Sequence, residues 1–194
     1  METGQPPARE RYWTAGLLVA VCLVMIVSLV GLGRVWWCER GDLRPWSWDV
    51  WSPHNSQHFI DPYSLSHLQH GIGLYVLLAW LFGAAVIPPV RTLIVSVVEA
   101  AWEVTENTKW LIERYRETTI SLDYYGDSIL NSTGDYIACL IGIVLARCVP
   151  AWFAVLVFCC LELISLFWIR DSLMLNVLML VSPLEAVKQW QAGT

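Results

Sequence analysis

The feature that most constrains the fold is a run of 19 residues without a charged side chain, residues 14–32. A helix of that length rises roughly 28 Å at about 1.5 Å per residue, close to the roughly 30 Å hydrocarbon core of a bilayer. Further apolar blocks follow, and the chain is 56% hydrophobic but only 15% charged. A soluble domain has about 45–50% apolar and about 25% charged residues. The sequence therefore predicts an integral membrane protein.

We predict an all-α transmembrane bundle of five or six spans, folded as a single integral membrane domain over residues 1–194. Residues 1–10 are polar and include two prolines, which predicts a flexible tail. The apolar block after this tail is longer than the roughly 7–15 residues of a signal-peptide core, so we interpret it as a retained anchor. The candidate helices are residues 14–32, 67–87, 91–107, 134–149, 151–169 and 173–190.

The last candidate helix contains Ser182 and Pro183, so it either crosses the membrane as a kinked helix or re-enters on the same side. A tryptophan-rich loop over residues 33–63 follows the first span. Because tryptophan prefers the headgroup level, we expect this loop to lie on the membrane surface, although a substrate-stacking platform is a second interpretation. Its tryptophans are Trp36, Trp37, Trp46, Trp48 and Trp51.

Alternating spans place every polar motif on one side of the membrane. Arg9 and Arg11 precede the first span and favour a cytoplasmic N-terminus, whereas Arg34 directly after it argues for the reverse. We predict the N-terminus inside and the motifs outside. The net charge of −5 argues against a nucleic-acid partner, so membrane lipids are the predicted partners, and the sequence specifies no protein partner.

Polar side chains recur at helical spacing on three neighbouring spans. Their spacings of three and four residues place each group on one helical face. A charge in the middle of a membrane costs about 2.5–3.5 kcal/mol, so we expect these faces to converge on one pocket. The three groups are His67 and His70; Glu99, Glu103, Glu106 and Asn107; and Asp127, Asn131 and Asp135.

Three interpretations of this pocket remain open. His67, His70 and Glu103 suit a divalent metal site with a bound water as nucleophile. Alternatively, Glu103 or Asp127 exchanges a proton with His67 without a metal. In the third interpretation the polar groups only satisfy one another and lock the fold. Glu99 and Glu162 lie deeper in apolar sequence and are interpreted as protonated, hydrogen-bonded residues.

The first two interpretations assign roles to individual residues. The predicted catalytic residues are His67, His70, Glu103 and Asp127. Arginines near the same interface are expected to draw in a phosphate group. The predicted substrate-binding residues are Tyr75, Arg114, Arg116, Asn131, Asp135 and Arg170. Five of the six cysteines lie in apolar runs and no CxxC spacing occurs, so we predict neither a disulfide framework nor a zinc site from them.

Five segments form a distinctive set, namely SQHFIDPYSLSHLQHG at residues 56–71, ExxWEVTEN at residues 99–107, IERYR at residues 112–116, YYGDSILNSTGDY at residues 124–136 and IRDSLMLNVLML at residues 169–180. Together they resemble an uncharacterised UPF/DUF family of small bacterial multi-pass inner-membrane proteins. The likeness covers roughly residues 46–191. It implies a multi-pass protein of the bacterial inner membrane without indicating an activity.

A weaker likeness is to the VanZ-like membrane proteins. The residues that carry it are, in order, Asp61, His70, Glu103, Asn107, Arg114, Asp127, Asn131 and Gly142. Pro62 and Asn107 replace the lysine and glutamine usual in that pattern. The resemblance implies a role in the cell envelope, by analogy only. We therefore expect a pocket that binds or processes a lipid or lipid-linked envelope substrate; the alternative is a non-enzymatic small transporter or assembly factor.

Overall fold

The computed structural model describes residues 8–119 and 124–193, with residues 8–11 described by their backbone alone. The predicted tail lies outside the described residues as far as residue 7, and residues 8–10 are helical. The described residues fold into helices joined by turns and one long loop. These helices are α1 (Ala8–Gly31), α2 (Ser64–Phe82), α3 (Pro88–Glu106), α4 (Lys109–Thr118), α5 (Ile129–Cys148), α6 (Ala151–Ile169), α7 (Leu173–Val181) and α8 (Glu185–Ala192).

The helix starts follow local chemistry. Pro88 and Pro89 occupy the first turn of α3, where a missing N–H costs nothing. The side chains of Thr108, Ser128 and Ser172 accept backbone N–H groups at the starts of α4, α5 and α7. The Thr108 cap allows the charged segment after α3 to form α4. No helix was predicted there from the sequence.

Within the part of the chain that the structure describes, four helices are long and apolar enough to cross a membrane, namely Tyr12–Gly31, Ser64–Ala85, Ile129–Cys148 and Ala151–Ile169. The α3 helix has the length but carries Arg91 and three glutamates. The predicted helix over residues 173–190 is two short helices instead, because the chain leaves helical geometry at Ser182 and Pro183 cannot continue it. Four helices of this length and composition are consistent with an integral membrane protein, and five or six spans are not confirmed.

The packing of α2 against α5 positions the polar site. A methyl group on Gly71 would overlap the carbonyl oxygen of Cys139, and one on Gly142 would overlap that of Leu68. Small residues let the two backbones approach closely, as at other membrane helix interfaces. The buried side chains of Ile72 and Ile143 fill the core below this contact. The closeness brings the polar starts of both helices together.

The two C-terminal helices, α7 and α8, form a hairpin in which the end of α8 contacts the residues just before α7. The Gln191 side-chain amide, at the end of α8, donates to Asp171 Oδ1 at 3.2 Å, just before α7 begins. Arg170 also donates to the carbonyl oxygen of Trp190. The α7 helix packs on α4, where the Tyr115 hydroxyl donates to Asn176 Oδ1 at 3.1 Å. Residues 170 and 190 therefore lie on the same side of the bundle.

Candidate functional site

A cavity of about 280 Å³ opens among the polar ends of α2, α3, α5, α6 and α7. One part of its wall is polar and the other part is apolar. The polar wall includes Tyr63, His67, His70, Glu99, Glu106, Tyr115, Tyr124, Asp127, Asn131, Asp135 and Asn176. The apolar wall includes Leu74, Val98, Ile169, Leu173 and Val177. Such a cavity is suited to an amphipathic ligand.

Glu99 bridges the two histidines of α2. His67 Nδ1 lies 2.7 Å from Glu99 Oε1, and His70 Nδ1 lies 2.8 Å from Glu99 Oε2. An ionised carboxylate only accepts hydrogen bonds, so both Nδ1 atoms carry the proton and donate it. A neutral ring with a protonated Nδ1 keeps a lone pair on Nε2. Glu99 therefore orients both rings, and in the neutral form of each ring Nε2 is available as a ligand or base.

Glu103 is buried without a matching donor. His67 Nδ1 is 3.1 Å from Glu103 Oε1, but its single proton is already directed at Glu99. Neither carboxylate oxygen of Glu103 has a hydrogen-bond partner among the described residues, although the side chain is fully buried. A buried carboxylate without a partner is costly, so this position calls for a cation or a proton.

Asp127 is the centre of a saturated hydrogen-bond network at the start of α5. Its carboxylate accepts from the Tyr124 hydroxyl at 2.9 Å and from Asn107 Nδ2 at 2.8 Å, while its backbone N–H donates to Asn107 Oδ1. Arg34 Nε donates to its carbonyl oxygen. Burial raises the pKa of Asp127 above its ordinary value despite these donors. The network fixes α3 against α5.

Asn131 and Asp135 continue the same face of α5 towards the loop before α2. Asn131 Nδ2 donates to the carbonyl oxygen of His58 at 2.7 Å, and Ser64 Oγ donates to Asp135 Oδ1 at 2.7 Å. Asp61 accepts from the backbone N–H groups of Tyr63 and Ser64. Burial, together with the charge of Asp127, raises the pKa of Asp61 to about 6. These contacts tie the loop to the cavity wall.

Three overlapping groups at this site have the composition of metal ligands. In each group one ligand atom per residue lies within 4.8 Å of the others. Imidazole and carboxylate ligands together suit zinc and other first-row divalent metals. The groups are His67, His70 and Glu99; His67, Glu103 and Asp135; and Glu103, Glu106 and Asp127.

The structure brings together the predicted residues His67, His70, Glu103, Asp127, Asn131 and Asp135. The remaining predicted residues lie away from the cavity lining. Tyr75 is buried in the apolar core under the guanidinium of Arg91. Arg114 donates to the carbonyl oxygen of Leu180, Arg116 to that of Tyr124 and Arg170 to that of Trp190.

Neither Glu99 nor Asp61 was predicted to have a catalytic or binding role, although Glu99 was placed on the polar face of its helix and Asp61 belongs to the VanZ-like pattern. Glu99 precedes Glu103 by one helical turn, so their shared helical face indicated that Glu99 belongs to the same site. The apolar residues before Glu99 favoured a different interpretation, that of a protonated residue within the membrane. Asp61 lies in the loop before α2, and its proximity to Asn131 depends on tertiary contacts alone. Glu162 is also satisfied, because Gln69 Nε2 and the Met174 N–H donate to it.

Comparison with known proteins places the chain in a family. The model of the family described as "Protein of unknown function (DUF2585)" matches residues 29–193. The chain belongs to the DUF2585 family. This confirms the predicted resemblance to an uncharacterised UPF/DUF family of bacteria.

Curated relatives of this DUF2585 protein carry the name UPF0314 protein. One from Paracoccus denitrificans is 43% identical over 94% of this chain and 92% of its own length. One from Sinorhizobium fredii is 47% identical over 90% of this chain and 88% of its own length. One from Rhizobium meliloti is 44% identical over 95% of this chain and 93% of its own length. No solved structure shows significant similarity.

Proposed function

We propose that the cavity binds the head of a lipid or lipid-linked envelope substrate and hydrolyses its phosphate ester with a divalent metal ion held by His67, Glu103 and Asp135. The observation that carries this proposal is Glu103. Its carboxylate is fully buried, has no hydrogen-bond donor among the described residues, and lies beside a histidine and a second carboxylate. A metal ion is the group that satisfies all three side chains at once.

The charges around the cavity support a metal ion. Glu99, Glu103 and Asp135 surround His67, so an anionic headgroup entering this site alone would meet carboxylates of its own sign. Arg114, Arg116 and Arg170 donate to backbone carbonyls outside the cavity lining. We therefore assign phosphate binding to the metal rather than to these arginines. A divalent ion offsets the carboxylates and attracts the phosphate.

We assign a separate role in the hydrolysis to each of these residues. Glu99 accepts the Nδ1 proton of His67 and so fixes the ring for ligation, as carboxylates do behind ligating histidines. A divalent ion held there would lower the pKa of a bound water and polarise the phosphoryl oxygen. The water oxygen would form the new P–O bond as the ester P–O bond breaks. His70 Nε2, the ring nitrogen that does not face Glu99, would accept the water proton and return it to the leaving alkoxide.

The apolar wall supports a lipid as the carrier of this phosphate. Leu74, Val98, Leu173 and Val177 all line the cavity. A soluble phosphate ester would gain nothing from these side chains, whereas burial of a lipid chain gains about 0.8 kcal/mol per methylene. The resemblance to envelope-associated membrane proteins agrees with such a substrate.

We place the cavity at a membrane interface. In this topology α3 is a fifth crossing whose acidic face is turned towards α2 and α5, and α7 with α8 is a re-entrant hairpin. The tryptophan-rich loop lies at headgroup level, with Trp36, Trp48 and Trp51 exposed. The N-terminus is cytoplasmic, and the membrane is the bacterial inner membrane.

The test is turnover by the full-length protein in lipid nanodiscs. Wild type and the double variant His67→Ala, His70→Ala are incubated with phospholipids and polyisoprenyl phosphate esters in the presence of Mn²⁺ or Zn²⁺. Mass spectrometry of the products and elemental analysis of the protein are the readouts. We expect metal-dependent hydrolysis of one class, and loss of the activity and of the metal equivalent bound at the cavity in the double variant.

The matched control is Glu113→Gln on the exposed face of α4, which should match wild type. A metal content and a turnover in the double variant equal to those of wild type would overturn the assignment of the site. If neither metal nor turnover is found in wild type, the enzymatic proposal fails and the non-enzymatic transporter or assembly factor replaces it.

A further inference from the structure

A second group of metal-ligand residues lies in the long loop between α1 and α2. Cys38 Sγ is 3.3 Å from His54 Nδ1, and His54 Nδ1 is 3.2 Å from His58 Nε2. Cys38 and His58 are buried, and His54 is half-buried. We call Cys38, His54 and His58 the loop cluster. It shares no residue with the groups at the cavity.

Hydrogen bonding does not account for the geometry of the loop cluster. His58 Nδ1 faces the carbonyl oxygen of Arg44, which only accepts, so Nδ1 carries a proton. In neutral His58 the lone pair of Nε2 then points at His54 Nδ1. That single nitrogen of His54 also faces the Cys38 thiol. It has one proton or one lone pair in the ring plane, so it can satisfy only one of its two neighbours.

A zinc ion accounts for all three contacts. Tetrahedral zinc binds nitrogen at about 2.0–2.1 Å and sulfur at about 2.3 Å, which places neighbouring ligand atoms about 3.3–3.6 Å apart. The two measured separations, 3.3 Å and 3.2 Å, are close to these values, and the third is within 4.8 Å. The bond from His58 Nδ1 to a backbone carbonyl is the contact that ligating histidines usually make with their other nitrogen.

We propose that Cys38 Sγ, His54 Nδ1 and His58 Nε2 bind one Zn²⁺ ion. The thiol loses its proton to solvent on binding, and a water molecule completes the tetrahedron. The sequence analysis predicted no zinc site from the cysteines, because it found no CxxC spacing. The loop instead brings its single cysteine to two histidines that lie 16 and 20 positions further along the chain.

The loop cluster adjoins the wall of the cavity. The carbonyl oxygen of His58 accepts from Asn131 Nδ2 at 2.7 Å, and the carbonyl oxygen of Ser56 accepts from the Ser128 N–H at 3.0 Å. Ser56 and Asn131 both line the cavity. A zinc ion that joins residue 38 to residues 54 and 58 therefore holds this part of the wall in place. Its role is structural and does not depend on the proposed hydrolysis.

The first test is cobalt substitution of the full-length protein in detergent. Co²⁺ bound by a thiolate gives an intense near-ultraviolet charge-transfer band, whereas Co²⁺ bound by imidazoles and carboxylates does not. We expect this band in wild type and in Glu103→Gln, and its loss in Cys38→Ser. Absence of the band from wild type with excess Co²⁺ overturns the proposal without reference to any variant.

The second test is elemental analysis after purification with Zn²⁺ and dialysis. We expect Cys38→Ser and His58→Ala each to lose one equivalent of zinc relative to wild type. Cys148→Ser is the matched control, because Cys148 is exposed at the far end of α5, and it should keep the zinc of wild type. Equal zinc in wild type and Cys38→Ser contradicts the proposal. A variant that loses the cavity metal but keeps the cobalt–thiolate band, as expected of Glu103→Gln, would show that the two sites bind metal independently.

Discussion

The molecule contains two pairs of histidines, and the groups around each pair differ in kind. His67 and His70 stand on a helix among the carboxylates of Glu99, Glu103 and Asp135. His54 and His58 stand in a loop beside a thiol and a backbone carbonyl. Carboxylates favour harder ions and bring negative charge, whereas thiolate selects softer ones. On our two proposals, the same residue type serves reaction chemistry in one place and structural zinc in the other.

The largest expected effect is the loss of metal binding and turnover when a carboxylate beside the pair His67 and His70 is replaced by an amide. Glu103→Gln keeps the volume of the side chain but removes the charge that we assign to the cavity metal. We expect Mn²⁺ affinity at the cavity to fall at least about 100-fold, and lipid phosphate ester turnover to fall at least about 100-fold. Titration calorimetry in detergent measures the affinity. A Kd unchanged from that of wild type would exclude Glu103 as a ligand; the exposed Glu113→Gln is the control for surface charge.

The sequence made the long apolar helices and most of the polar cavity residues predictable. Apolar runs report helix length directly, and the three- and four-residue spacings of His67 and His70, and of Glu99 and Glu103, each report a shared helical face. Both signals are local. Asp61 and Cys38, which had no predicted role, lie in the loop between α1 and α2, where no period constrains the direction of a side chain. Their partners Asn131 and His54 are set by tertiary contacts.

Helix packing, rather than ligand chemistry, is tested by Gly142→Ala. The added methyl group overlaps the carbonyl oxygen of Leu68, so α2 and α5 must separate. We expect the free energy of unfolding to fall by about 3 kcal/mol, within the usual range for overpacking. Metal binding at the cavity should weaken with it, because His67 and Asp135 lie on these two helices. The cobalt–thiolate band of the loop cluster should persist.

Gly16→Ala serves as the comparison, since no atom lies within 4 Å of the added methyl group. Its stability should equal or slightly exceed that of wild type, because alanine is the better helix former. Denaturant titration followed by tryptophan fluorescence gives both values. Equal stability of Gly142→Ala and Gly16→Ala would mean that the close approach of α2 and α5 does not hold the site.

Glu99→Gln tests the carboxylate that orients the rings of His67 and His70. The amide has one acceptor oxygen where the carboxylate has two, so one of the two histidine Nδ1 protons loses its partner. We expect Mn²⁺ affinity at the cavity to fall about 10–100-fold, less than in Glu103→Gln. Glu162→Gln makes the same exchange on α6, outside the three metal-ligand groups, and should leave the affinity unchanged. A loss as large as that of Glu103→Gln would make Glu99 itself a ligand.

The smallest expected effect concerns Asp171, a buried carboxyl group outside the metal-ligand groups of both histidine pairs. Burial opposes its ionisation more than Ser172, Asn176 and Tyr63 favour it, and its pKa rises from 3.8 to about 6. A raised pKa in the folded state gives stability that is complete below pH 3.8 and is lost as the pH passes 6. Between pH 5 and pH 7 this loss amounts to about 1 kcal/mol.

Asp171→Asn removes this titration, so its free energy of unfolding should change less than that of wild type between pH 5 and pH 7. Denaturant titrations of both proteins at these two pH values measure the difference. Parallel profiles would show that Asp171 is ionised throughout, held by the donors of Ser172 and Asn176 and the amide of Gln191. The hairpin of α7 and α8 would then depend on a buried charge, as the cavity does, rather than on a neutral acid.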